Sequence, residues 1–477
     1  MSSLLEQYHS DRSRQAAPGA GSYTGAAGGA ACGDVARISL VPDGARIAAV
    51  TFDAEGCAAT RAACACVAEL VEGDSILAAA AIGSDDVSEA LGGLTPASRH
   101  AAVLATDALH RALSALAASG RPLAEPDPDR VLVAVSGGVD SAVAALMERE
   151  NGADVVAVTV KLWADPETDG TKACCSPEAV LGARSVSHSM GIPHFTLDLE
   201  EGFRSTVVGS FVRAYAEGRT PNPCVLCNGE VRISAMVALA DRVGATHLVT
   251  GHYARIVDDG EGHLLAEGDD ADKDQSYMLA ALPTGVVSRL RFPLAGVTKP
   301  EVREIAARNG LAVARKPESQ DLCFLAGSSK RDFLRRHGGL GDSDGPVLDA
   351  DGRELGRHRG HHNFTVGQRR GLGVAAGEPL YVTATDAATN SVTVGPRAAL
   401  AAERVPVAHA VLHRDGSTVD RVRLRYRSPA VAAKVAAGAG NHGLIDVELE
   451  QPFEGLTPGQ TAVLMSGDTV VGHGTIK

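Results

Sequence analysis

The chain has 477 residues, 45% hydrophobic and 22% charged, and a formal net charge of −13. This excludes a disordered or fibrous chain and sets an expectation of three or four domains. The polar N-terminus MSSLLEQYHSDRSRQ and the lack of any run near the ~20 apolar residues of a membrane span predict a cytoplasmic protein with no membrane partner. In a reducing compartment its nine cysteines point to catalysis or metal binding rather than to disulfide staples.

Residues 1–118 read as one α+β unit. Alternating apolar residues at Arg37–Leu40 and Arg46–Phe52 predict two strands, and the Ala-rich stretches Ala58–Val71 and Arg99–Leu116 predict helices. Residues 119–129 (SGRPLAEPDPD) have three prolines and few apolar residues and read as a linker. Residues 130–329 carry apolar strands at Val131–Val135, Val155–Val160, Phe195–Leu199 and His247–Thr250, alternating with helical stretches such as Ser141–Glu150. That alternation predicts a parallel sheet covered on both faces. Residues 330–395 and 396–477 carry glycines and short alternating strands, which predict two small β domains, the second a barrel. Basic residues outnumber acidic ones from Arg315 to Arg427, and the reverse holds from Met1 to Arg130, so the later part is the one expected to attract phosphate.

Three elements carry chemistry. SGGVDS (Ser136–Ser141) follows the first strand of the central domain and opens a helix. Its glycines let backbone approach an anion, the helix N-terminus supplies free N–H groups, and Asp140 can hold a metal ion or cap the helix. The absence of Gly-Lys-[Ser/Thr] excludes a Walker A loop. GRTPNPCVLCN (Gly218–Asn228) brings Cys224 and Cys227, and KPESQDLCFL (Lys316–Leu325) brings Cys323. Cys174 and Cys175 read as structural, and His361 and His362, adjacent in a presumed strand, as pointing apart and binding no metal.

SGGVDS resembles the PP-loop of ATP pyrophosphatases. With GRTPNP-x-x-x-CN, TGHYAR (Thr250–Arg255), KDQSYML (Lys273–Leu279), SQDLCF (Ser319–Phe324), FTVGQRRGLG (Phe364–Gly373), RLRYR (Arg423–Arg427) and TPGQ (Thr457–Gln460), residues 130–477 resemble the tRNA-specific 2-thiouridylases. The resemblance implies an adenine-nucleotide-hydrolase-like α/β PP-loop domain and a sulfurtransferase that adenylates a tRNA uridine, expected at the wobble position. ATP and Mg2+ are the implied cofactors. Ala134, Val135, Ser136, Gly137, Gly138, Val139, Asp140, Ser141, Val160 and Gly251 are the implied ATP site. Asn222, Pro223, Cys224, His252, Lys273, Asp274, Gln275, Arg425, Tyr426 and Gln460 are the implied tRNA contacts. Cys323 is the implied persulfide carrier and Cys227 its resolving partner, with a cysteine desulfurase or sulfur-relay protein as donor. Cys224 stands where the family more often has Asp. The departure admits a second reading in which Cys224, Cys227 and Cys323 hold an iron–sulfur cluster.

Residues 1–118 resemble IscU/NifU-type iron–sulfur scaffolds through ACGD (Ala31–Asp34), EGCAA (Glu55–Ala59) and SRHAAVLATDAL (Ser98–Leu109). Cys32, Asp34, Cys57 and His100 are the implied metal set, for zinc or iron, while Ala101 replaces the third family cysteine. Cys64 and Cys66 lie too far along or around a helix to compensate. The module is expected to relay sulfur or metal to the catalytic domain, or to serve as a docking surface. The rival for the whole chain is an iron–sulfur assembly factor gated by nucleotide.

Overall fold

Alternate residues of a buried strand face opposite sides, and the run Val131–Val133 uses both. In the computed structural model, which describes residues 3–28, 33–163, 165, 177–316, 322–325, 327–374 and 377–477, Val131 and Val133 pack toward the helices Val139–Glu150 and Lys299–Arg308. Leu132 packs on the other face with the helix Ile233–Arg242. Five parallel strands form this sheet, in the order Leu290–Arg291, His247–Thr250, Arg130–Ala134, Asp154–Lys161, His194–Asp198. The chain leaves the central strand Arg130–Ala134 to one side first and to the other later. Its carboxyl end is therefore the topological switch point where α/β sheets take ligands.

The N-terminal module is an antiparallel sheet (Tyr23–Gly28, Val35–Asp43, Arg46–Glu55) covered by the helices Ala58–Val71 and Arg99–Ala118. The strand Tyr23–Gly28 was not expected, because Gly and Ala are poor strand formers. Its smallness is the point: a β-carbon on Gly25 would run into the backbone of Ala108 and Ala112, so strand and helix touch main chain to main chain. Cys64 and Cys66 are wholly buried in this core, and burial pushes both thiols up to about 12. Iodoacetamide at neutral pH is expected to modify the exposed Cys57 and spare Cys64 and Cys66 until the chain is denatured, as read by peptide mass spectrometry.

The linker is not loose. Leu123 is fully buried and its N–H donates to Arg242 O at 2.7 Å, while the Arg242 guanidinium donates to Ala117 O. The helix Arg99–Ala118 lies against the edge strand His194–Asp198, where Ser114 Oγ donates to Thr196 O. One apolar core runs from Ile38 and Phe52 through Leu109 and Leu113 to Phe195, Leu197 and Met236. Two buried histidines and one partly buried histidine line this seam. His110 Nε2 lies 3.0 Å from Ile82 O, His188 Nε2 lies 3.1 Å from Ala80 O, and His194 Nε2 lies 2.8 Å from Thr159 Oγ1. Burial holds all three below the usual histidine range. The folded state keeps them neutral, whereas the unfolded chain takes up protons below about pH 6.5. Stability is therefore lost as pH falls through that value. Calorimetry is expected to show a falling Tm between about pH 7 and pH 5, where ordinary carboxylates have not yet protonated.

Beyond Gly339 a four-stranded sheet comes first (Asp344–Leu348, Glu354–Arg359, Tyr381–Asp386, Ser391–Gly395). Six strands follow, closed into a barrel because Ala401–Leu412 pairs with both Gly440–Glu454 and Thr469–Ile476. A hairpin, Ala254–Asp258 with His263–Glu267, leaves the central region and extends the barrel sheet through Ala266 and Thr469. His361 and His362 sit in a 3-10 turn rather than a strand, both buried. The helix Pro223–Arg242 has the length and hydropathy of a membrane span, which the sequence reading missed, but half of that window is buried inside the fold. It is a core helix that carries Asn228 and Arg232.

Candidate active site

At the switch point the chain turns through Ser136–Gly138. Val135 N–H donates to Val158 O at 2.8 Å, fixing the loop to the neighbouring strand. Ser136 N–H donates to Ser141 Oγ at 3.0 Å, and the two hydroxyls lie 3.2 Å apart. Gly137 has φ +69°, a left-handed backbone that favours glycine. Gly138 caps the helix Val139–Glu150, and the Val139 side chain is buried in the core. The loop opens on a cleft of about 240 Å³. Ala134, Val135, Ser136, Asp140, Ser141, Val160 and Gly251 of the expected nucleotide set line it, together with Leu162, Arg232, Thr250, His252 and Gln275. Gly137, Gly138 and Val139 do not line it with their own atoms.

Asp140 is already engaged. Lys299 Nζ, 7% exposed, donates to its two oxygens at 2.7 and 2.6 Å, and Tyr253 Oη donates to Oδ1 at 2.7 Å. Lys316 Nζ donates to Gly137 O at 2.9 Å from the loop's other side. Asp140 thus forms an ion pair with Lys299 while its half-exposed carboxylate still lines the cleft. Lys299 starts the helix Lys299–Arg308, set by the Thr298–Glu301 capping box. That box was a readable helix signal, but nothing local marked Lys299 as reaching the loop.

The cysteines do not line the cleft themselves but follow behind residues that do. Asn222 caps the helix that begins at Pro223, its Oδ1 accepting from Cys224 N and Val225 N at 3.2 and 3.3 Å. A π-helical turn follows at Cys227–Arg232, a wide turn found mostly at functional sites. Cys227 and Cys323 join one apolar cluster with Leu162, Trp163, Phe203, Phe211 and Phe324. Leu162 belongs both to that cluster and to the cleft wall, and Val160 packs against it. The two cysteines expected to act together are thus gathered beside the nucleotide cleft. Burial raises the Cys224 thiol, and the Arg232 guanidinium opposes that shift. Among the described residues, Cys224, Cys227 and Cys323 do not form a group of ligand atoms within 4.8 Å of one another. Cys174 and Cys175 lie outside the described residues.

His252 is a neutral wall of the cleft. Arg232 Nη2 donates to its Nε2 at 3.1 Å, so the proton sits on Nδ1, 2.6 Å from Thr250 Oγ1. Burial, helped by Arg232, pushes its pKa down to about 3. Its NMR signal is expected not to titrate between about pH 5 and 8.

The other expected RNA contacts divide into two sets. Asp274 is buried, accepting from Gly268 N, Ser276 N and Oγ, and Arg423. It positions its neighbours and, as a carboxylate, is unsuited to touching phosphate. Lys273 is half-buried beside it, and Gln275 Oε1 accepts from Tyr253 N. Gln460 Nε2 donates to Thr220 O at 2.8 Å, Thr220 N–H donates to Pro458 O, and Arg425 donates to Gly455 O and Thr457 Oγ1. The Gln460 and Thr220 bonds brace the barrel against the Gly218–Pro223 approach to Cys224, while the Arg425 bonds stay within the barrel. Tyr426 stacks with Tyr277 at 6.0 Å and lies under Arg427.

A second constellation lies in the N-terminal module. Ligand atoms of Asp34, Cys57 and His100 lie within 4.8 Å of one another. His100 Nδ1 donates to Ala97 O at 2.9 Å, leaving Nε2 3.8 Å from Cys57 Sγ and 3.4 Å from Asp34 Oδ2. Thr60 Oγ1 and Cys57 N–H donate to Asp34 at 2.5 and 3.2 Å, holding its carboxyl below the usual range. Gly56, at φ +130°, must be glycine because a β-carbon there would strike that carboxylate. Cys32 lies outside the described residues.

Family models match in four blocks: a NifU-like N terminal domain at residues 2–120, a tRNA methyl transferase HUP domain at 129–327, a tRNA methyl transferase PRC-barrel domain at 331–396, and an aminomethyltransferase beta-barrel domain at 406–476. The bifunctional protein NifU/MnmA of Rubrobacter xylanophilus is 46% identical over 472 residues, covering 96% of this chain and 94% of its own. The tRNA-specific 2-thiouridylases MnmA of Roseiflexus sp. and Geobacter metallireducens are each 42% identical, covering 73% of this chain and 99% and 96% of their own.

Proposed function

The chain belongs to the bifunctional NifU/MnmA family, a NifU-like module joined to a tRNA-specific 2-thiouridylase, and from that premise we propose that it catalyses ATP-dependent 2-thiolation of a tRNA uridine. The observation that carries this reading is the shared wall: Leu162 lines the cleft of the phosphate loop and packs with Cys227 and Cys323. Activation and sulfur transfer therefore have adjacent seats.

In the proposed sequence, the uridine O2 attacks the α-phosphorus of ATP. The P–O bond to pyrophosphate breaks, its electron pair leaves with pyrophosphate, and N3 gives up its proton. Loop N–H groups and the helix N-terminus at Val139 hold the phosphates. The terminal sulfur of a Cys323 persulfide, loaded by a cysteine desulfurase or sulfur-relay protein, attacks C2, and AMP departs with the C2–O2 electron pair. The Cys227 thiolate then attacks Cys323 Sγ, the S–S bond to the nucleoside sulfur breaks toward that sulfur, and N3 is reprotonated. A Cys227–Cys323 disulfide remains, which a dithiol reductant reopens. Mg2+ would enter with the triphosphate, and Asp140, paired with Lys299 and Tyr253 at the cleft wall, is the carboxylate beside it. Cys224, Cys227 and Cys323 are not close enough to share a single metal ion, and the steps here use the persulfide. The brace at Gln460 leaves the barrel and the Gly218–Pro223 loop as one surface for the tRNA.

The test is nucleoside mass spectrometry of unmodified tRNA incubated with the protein, ATP and a persulfide donor. The expected product is 2-thiouridine, with AMP formed in equal amount. Methylation instead of thiolation, or ADP in place of AMP, would sink the proposal.

For the module we infer a zinc or iron site at Asp34, Cys57 and His100. Sulfur, nitrogen and oxygen donors with backed-up orientation suit either metal, which would supply a Lewis-acidic seat for sulfur. Elemental analysis is expected to find metal in the wild type and little in C57S or H100A.

A further inference from the structure

Arg232 is placed where the cleft meets the cysteine helix, and nothing assigned so far uses it. One Nη2 is held by Asn228 Oδ1 at 2.6 Å and His252 Nε2 at 3.1 Å, both neutral partners. Its Nε–H is buried with no hydrogen-bond partner, and no carboxylate pairs with it among the described residues. A guanidinium is charged at every accessible pH, and a buried donor without a partner is costly to leave unmade. A cation fixed by neutral groups, with an idle N–H in a cleft already shaped for phosphates, is waiting for an anion. The π-turn puts Arg232 one wide turn beyond Cys227, between the nucleotide and the sulfur chemistry. The phosphoryl group that must lie between them is the α-phosphoryl of ATP, which is also the phosphoryl of the adenylated uridine.

We propose that Arg232 is a catalytic residue that binds this α-phosphoryl group through both half-reactions, an inference that rests on the thiouridylase reading. When O2 attacks phosphorus and the bond to pyrophosphate breaks, negative charge gathers on the phosphoryl oxygens. When sulfur has added to C2 and the C2–O2 bond breaks, the electron pair leaves with the same phosphoryl as AMP. One fixed guanidinium stabilises both events without moving, while Asn228 and His252 hold its plane.

The experiment compares wild type, R232K, R232M and R232A in tRNA-dependent ATP–pyrophosphate exchange, in 2-thiouridine formation and in equilibrium binding of tRNA. R232M is expected to lose at least about 100-fold in kcat for both reactions, with KM for ATP within about threefold and tRNA binding unchanged. R232K is expected to fall between R232M and wild type. Added guanidinium ion is expected to restore part of the R232A rate, which no purely structural role would allow. An unchanged rate in R232M, or a loss without guanidinium rescue in R232A, overturns the inference. Absence of 2-thiouridine with the wild-type protein would instead overturn the underlying function, so the two failures are distinguishable.

Discussion

Replacing Cys323 by Ser is expected to abolish 2-thiouridine formation, a loss of at least about three orders of magnitude, because a hydroxyl cannot carry persulfide sulfur. The substitution is nearly isosteric, and Cys323 is only partly buried at the rim of the Phe203–Phe211–Phe324 cluster, so the fold should survive it. ATP–pyrophosphate exchange should therefore persist, separating activation from sulfur transfer. Cys227→Ser should fail differently. The persulfide would still attack C2, but the S–S bond would not be resolved, so tRNA should accumulate covalently bound to Cys323. Gel electrophoresis with and without a thiol reductant reads this directly: a reductant-sensitive adduct with C227S and none with C323S. Thiolation surviving in C323S would remove the persulfide mechanism altogether.

The second large effect is expected at Gly251. A β-carbon there would lie 2.8 Å from both Asp140 C and Ser141 N. These are main-chain atoms at the start of the helix Val139–Glu150, tied to the sheet through Val135 and Val158, and they cannot swing aside. Gly251→Ala should therefore lift the phosphate loop off the strand Arg130–Ala134, at a cost of about 1–3 kcal/mol in packing. ATP affinity should fall at least about 100-fold by calorimetry, because loop N–H groups aimed even slightly wrong lose the phosphates together. Gly182→Ala is the control, since nothing lies within 4 Å of a β-carbon in that helix. It should leave ATP binding unchanged and stabilise the protein by about 0.5–1 kcal/mol.

These two sites differ in how far sequence alone exposes them. SGGVDS is legible because anion binding demands a strand, small residues and a helix start in immediate succession. The cysteines are legible as chemistry through motifs, whereas their convergence is tertiary. Arg232 is illegible for a geometric reason. At ~100° per residue, five steps from Cys227 leave it about 140° around an ordinary helix, and only the π-turn brings it back. Lys299 lies 159 residues from Asp140, beyond any local pattern. The strand Tyr23–Gly28 defied propensity because close helix contact, not β-branching, decides it. The hairpin Ala254–Glu267 was hidden because its partner strand lies at the other end of the chain.

The helix Arg99–Ala118 has a consequence for how the module sits on the catalytic domain. It starts in the module, with His100 in its first turn, and ends against the catalytic sheet at Ser114. Fourteen residues of rise separate these points by about 21 Å. The two halves are thus packed on each other through a shared core rather than joined by a loose tether. Removing residues 1–118 would take Leu109 and Leu113 away from the core they share with Phe195 and Leu197.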